Sequence, residues 1–155
     1  MKKAITMLAL ISTAVFAQQK GSFTDSRDKK TYKTVKIGEQ TWMAENLKYN
    51  AKGSKCYDNK EENCQKYGRL YNWETAKKAC PSGWHLPSNE EWDKLYRYAD
   101  GDKGTGSPYM SETAGKLLKS SSGWYNGGNG TDAYNFSALP GGFGNSGGNF
   151  NNAGS

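Results

Sequence analysis

Apolar positions along the chain fall into two clear rhythms. Residues 31 to 46, TYKTVKIGEQTWMAEN, alternate β-forming and polar side chains on either side of Gly38-Glu39. That period of two predicts a β-hairpin, with Tyr32, Thr34 and Lys36 on one face and Val35 and Ile37 on the other. Farther along, Trp92, Leu95, Tyr96 and Ala99 recur at the i, i+3, i+4, i+7 spacing of an amphipathic helix. Ser88 and Glu91 have the spacing of a capping box, and Asp100-Gly101 ends the element. Glu90 with Lys94, and Asp93 with Arg97, stand four apart on its polar side. A shorter helix is expected from Asn72, with Trp73, Ala76 and Cys80 on one side, Glu74 and Lys78 paired on the other, and Pro81 preventing continuation. Ser111 to Leu118 carries a weaker helical pattern, and FSALPGG from Phe136 reads as a short strand running into a turn.

A third pattern changes the picture at the N-terminus. Lys2 and Lys3 precede an apolar run from Ala4 to Phe16, followed by Ala17 with Val15 two positions earlier. This is the arrangement of a secretory signal peptide, residues 1–17, cut after Ala17. The run is too short for a membrane span, and no later segment approaches that length. The mature chain is therefore expected to be secreted or held at the cell surface. Without the leader it carries 19 basic and 15 acidic residues. Lysines alternate with acids instead of forming a block, which argues against a nucleic-acid partner. The expected domain covers 31–144, between a linker at 18–30 and a Gly/Asn-rich tail at 145–155. From Asn126 to Ser155 nine glycines and seven asparagines leave few apolar groups, so loop is expected there.

Export brings the cysteines into an oxidising environment. Cys56 and Cys64 bracket CYDNKEENC, a short polar loop that a disulfide could close. Cys80 is then odd, which points to a missing partner, an intermolecular bond or a reactive thiol. A metal site is not expected, because neither C-x-x-C nor a second histidine is present. GGNGTD at Gly127–Asp132 is a single copy of a calcium motif that works by stacking, and Asp100-Gly101-Asp102 opens like an EF-hand loop without completing it.

Candidate chemistry gathers in ACPSGWHLPSNEEW, Ala79 to Trp92, which holds Cys80, the chain's only histidine and two adjacent carboxylates. Glu90 and Glu91 point about 100° apart on a helix and do not converge on one substrate. A Cys80–His85 dyad would need a thiolate and an orienting third group. Trp42, Trp73, Trp84 and Trp92 are assigned to the core, where large rings supply much of the buried area. Trp124 and Tyr125, with Tyr109, lie among loop residues and are the candidate ligand-binding contacts.

Three segments, DSRDKKTYKTVKIGEQTWMAENL, YGRLYNWETAKKACPSGWHLPSNEEWDKLYRYA and FSALPGGFG, together resemble the Fibrobacter succinogenes major paralogous domain, a family of bacterial exported proteins. The resemblance implies an α+β fold shared with C-type lectin-like domains and with the formylglycine-generating, sulfatase-modifying enzymes. Two main helices would pack on small, twisted antiparallel sheets. Family members continue past F-S-A-L-P-G-G with a tryptophan-rich strand and a cysteine-bearing closing strand. The resemblance thus implies a domain incomplete at its C-terminus, with the partner of Cys80 absent. The catalytic cysteines of the formylglycine-generating enzymes have no counterpart. The expected function is that of a non-catalytic module, without cofactor, that binds an extracellular polysaccharide or a cell-surface protein. A formylglycine-generating or carbohydrate-active enzyme, and an inactive paralogue, are the alternatives.

Overall fold

The computed structural model describes residues 18–101 and 111–155; the expected leader at 1–17 and Tyr109 lie outside the described residues. Three strands form the first sheet: β1 (Lys20–Thr24), β2 (Thr31–Ile37) and β3 (Gln40–Met43), antiparallel in the order β1-β2-β3. The expected hairpin is β2 and β3, closed by Gly38-Glu39 with Ile37 opposite Gln40. β1 corrects the expectation of a linker at 18–30, since Lys20 to Thr24 pair in register with Val35 to Thr31. KGSFT has too little apolar alternation to announce a strand, and its pairing to β2 supplies what the side chains do not.

Both faces of β2 are covered, so the alternation is only half of the account. Val35 and Ile37 enter the core with Trp42, Leu95, Ala99, Ala114 and Leu118. On the other face Tyr32 is buried and stacks on Phe23 at 5.4 Å, and Trp84 lies against Phe23 at 4.7 Å. The Tyr32 hydroxyl accepts a hydrogen bond from the Lys48 backbone N–H at 3.0 Å, which satisfies its polar end.

Four helices are described where the sequence pattern predicts three: α1 (Glu61–Tyr67), α2 (Trp73–Ala79), α3 (Asn89–Asp100) and α4 (Glu112–Leu118). The additional one, α1, has no side-chain cap at Lys60 and is fastened by the Cys56–Cys64 disulfide. α2 begins as expected, with the Asn72 side chain accepting from the Thr75 N–H at 2.9 Å. Its buried side differs, however. Ala79 is buried, Ala76 and Cys80 are half-buried, and Trp73 is 68% exposed. Trp73 is thus a surface residue and not part of the core, and Glu74 pairs with Lys77 at 2.8 Å instead of with Lys78.

The α3 expectations hold closely. Ser88 accepts from the Glu91 N–H at 3.2 Å while the Glu91 carboxylate accepts from the Ser88 N–H at 2.8 Å, completing the capping box. Leu95 and Ala99 are fully buried, and Gly101 closes the helix in the left-handed region. Asp93 and Arg97 pair at 2.8 Å. Glu90 turns toward the helix start, where its own backbone N–H and the Ser88 hydroxyl hold its carboxyl below the usual range. α4 packs on α3 through Ala114 and Leu118.

The tail also departs from the expected loop. β4 (Gly141–Gly144) and β5 (Phe150–Ala153) form an antiparallel pair, and Lys119 bridges Ala138 in parallel just before it. This hairpin packs with backbone against rings. At Gly142, φ is +67° and a Cβ would lie 2.6 Å from both the Asn151 carbonyl oxygen and the Tyr57 ring. Gly154 lies in the same way against the Tyr125 ring. Glycine permits both the positive φ and the close approach, so a segment poor in large side chains still buries surface.

Candidate functional site

The polypeptide between α2 and α3 is held from outside by a charged bolt. Asp25 is buried, and Arg27 grips its carboxylate at 2.6 Å and stacks on the Tyr49 ring at 3.7 Å. The same guanidinium donates to the Ala79 carbonyl at 2.8 Å and reaches the Cys80 carbonyl at 3.5 Å. It thereby occupies backbone acceptors that the end of α2 leaves without helical partners. The Arg27 hydrogen bond also holds the Asp25 carboxyl below the usual range, against the opposing effect of burial.

What this bolt fixes is one wall of a cleft of about 790 Å³. β3 forms a second wall, Cys80–Pro87 and the first turn of α3 the first, and Phe136 to Gly142 a third. Gln40 ties two of them together by donating from its side chain to the Glu91 carbonyl at 3.1 Å. Aromatic rings meet along the interior: Trp42 and Trp92 at 4.9 Å, Trp42 and Phe136 at 5.7 Å, and Trp92 and Phe136 at 6.2 Å. Trp84 and Tyr67 line the cleft as well. Trp42 is buried, and its indole N–H has no hydrogen-bond acceptor among the described residues. A buried donor without a partner is costly in a folded chain.

The polar side of the cleft carries His85 and Glu91. The His85 Nε2 lies 2.8 and 3.0 Å from the two Glu91 oxygens. The Ser88 backbone N–H and His85 together hold the Glu91 carboxyl below the usual range. Cys80 also faces this space, but burial pushes its thiol up, and its sulfur directs its S–H toward the Ala76 carbonyl at 4.0 Å. A thiol shifted upward is a poorer nucleophile at neutral pH. Arg69, the remaining cation of the lining, is committed elsewhere: it donates to the Ser54 hydroxyl at 2.8 Å and reaches the Cys64 sulfur at 3.3 Å.

Each expected site residue other than Tyr109 has a definite place. Cys56 and Cys64 are disulfide-bonded, as the loop spacing indicates, so their cluster with Glu61 has no thiolate to offer a metal. Cys80 is a free cysteine. Trp124 is half-buried, its indole N–H donating to the Ser120 hydroxyl at 3.0 Å and to the Ala138 carbonyl at 3.3 Å, with Lys119 over the ring at 4.1 Å. Tyr125 is exposed, with its N–H on the Gly154 carbonyl at 2.7 Å. Trp124 and Tyr125 are not among the residues lining the cleft. Trp84 and Trp92, which the apolar pattern assigns to the core, line it while remaining half-buried. Glycine and proline on both sides of Trp84 are the one local sign that this ring belongs to an irregular, accessible segment.

Among the described residues no helix is long and apolar enough to cross a membrane. Residues 35–155 match the family model described as the Fibrobacter succinogenes major domain, and the chain belongs to that family. No curated protein and no solved structure matches the chain.

Proposed function

We propose that this member of the Fibrobacter succinogenes major domain family is an exported, non-catalytic binding module of C-type lectin-like fold, and that the aromatic cleft holds a polysaccharide. The observation that carries this reading is the cleft itself: flat rings of Trp84, Trp92 and Phe136 beside the Glu91 carboxylate and the His85 imidazole. Aromatic faces give the C–H edges of sugar rings an apolar surface, and a few fixed polar groups accept and donate to hydroxyls. A cleft of about 790 Å³ is in the size range of ligand sites, roughly 300 to 1,000 Å³.

Binding is favoured over catalysis by the state of the titratable groups. Cys80 is shifted away from thiolate, and Glu91 is engaged by Ser88 and His85. The leader pattern at Lys2 to Ala17 and the Cys56–Cys64 disulfide support an oxidising location outside the cytoplasm. Affinity electrophoresis of the mature chain through gels containing hydroxyethylcellulose, xylan or mannan tests the reading. Retardation on at least one glycan, lost in Trp84→Ala and kept in Trp73→Ala, is the expected result. Unretarded migration on every glycan, or retardation insensitive to Trp84→Ala, overturns it. Glycan hydrolysis abolished by Cys80→Ser or Glu91→Gln would establish an enzyme instead.

A further inference from the structure

Beside the aromatic cleft lies a second hollow of about 440 Å³ with a different character. Lys20 from β1, Lys33 from β2, Lys48 from the loop after β3 and Lys66 from α1 all line it. None of these four forms an ion pair among the described residues. Lys66 lies over the Tyr67 ring at 4.7 Å, and the Lys48 and Lys33 backbone N–H groups are spent on the Tyr32 hydroxyl and the Glu45 carboxylate. Glu45 is the only acid of the lining, and one of its oxygens is already accepting that 2.7 Å bond from Lys33. The chain as a whole scatters its lysines among acids, so four in the lining of one recess with a single carboxylate is a local departure.

Flexible lysine side chains that line one recess can bring their ammonium groups to an anion seated there, which gains charge-assisted hydrogen bonds. The hollow adjoins the cleft: Glu45, Asn46 and Leu139 line both. We propose that this hollow takes the anionic substituent, a carboxylate or a phosphate, of a glycan whose uncharged rings lie in the adjoining cleft. The ligand class is therefore an acidic glycan, a deepening that rests on the reading of the cleft as a glycan site. Lysine suits this role as a compact, mobile point charge able to follow either anion.

A matched pair of ligands separates charge from shape. Hexagalacturonate and its fully methyl-esterified form differ in charge at the same backbone, and their affinities for the mature chain can be measured by isothermal titration at low ionic strength. The acid should bind at least about tenfold tighter, a difference of about 1.4 kcal/mol. In Lys33→Gln/Lys48→Gln that preference should vanish while the ester's affinity stays unchanged, and in the wild type it should shrink as salt screens the lysines. Equal or tighter binding of the ester, or a preference that survives in the double variant, overturns the proposal. If neither hexamer binds, the glycan reading of the cleft fails, and the hollow is then judged alone. Galacturonate and glucose 6-phosphate would be titrated while the backbone amides of Lys20, Lys33, Lys48 and Lys66 are followed by NMR. Shifts absent from the double variant keep an anion site and show which anion it prefers; no shifts with either overturn it.

Discussion

Arg27 stands where three requirements meet: the charge of a buried acid, the unpaired carbonyls at the end of α2, and the position of the cleft wall. Removing it leaves Asp25 buried without its cation, so Arg27→Ala should cost about 3 kcal/mol in urea denaturation. Asp25→Asn/Arg27→Met should recover much of that loss, because the uncompensated charge goes with its partner. At the other end of the same wall, Ser88→Ala should cost about 1 kcal/mol through the lost cap. Glu91 adds a pH dependence whose sign follows from its lowered carboxyl. A carboxyl held low in the folded state stabilises the fold above its ordinary range, and that contribution is lost as pH falls through the lowered value. Glu91→Gln should therefore show a flatter acid limb than the wild type when urea midpoints are followed from about pH 7 to about pH 3; parallel limbs would contradict the assignment.

Among elements, those with side-chain signals were legible and those held by pairing or cross-links were not. α3 carries an apolar stripe and both halves of a capping box in its own sequence, and the β2–β3 hairpin carries its alternation around Gly38-Glu39. α1 has neither a cap nor a stripe; Cys64 within it is buried by its bond to Cys56, so the helix depends on a cross-link. Reducing that disulfide should lower stability by roughly 2 to 3 kcal/mol, seen as a shift in denaturation midpoint on adding reductant. β1 and β5 were hidden for a related reason, because short strands with few apolar residues gain their order from the partner strand. Gly142→Ala tests this for the closing hairpin. Its positive φ and the nearby Tyr57 ring and Asn151 carbonyl leave no room for a Cβ, and a loss of about 1 to 3 kcal/mol is expected. Hydrogen exchange should speed up first at the β4 and β5 amides.

At the scale of the whole molecule, the candidate site was the least legible part. The sequence pattern could identify Trp42, Trp84 and Trp92 as large apolar residues, but not that β3, the Cys80–Pro87 segment and Phe136–Gly142 leave space between them. Nor could spacing show that lysines scattered from Lys20 to Lys66 line one hollow, since that needs β1, β2, the loop after β3 and α1 to be placed together. Loop position pointed instead to Trp124 and Tyr125, and Trp124 turns its indole N–H inward. The chain's five tryptophans provide their own reporters of where a ligand binds. The indole N–H signals of the ¹⁵N-labelled mature chain, assigned with Trp→Phe variants and followed during titration with a retained oligosaccharide, test the cleft most directly. With ligand in the cleft, Trp42, Trp84 and Trp92 should shift in a saturable way while Trp73 and Trp124 stay in place. Shifts confined to Trp73 or Trp124, with the three cleft indoles unmoved, would contradict it.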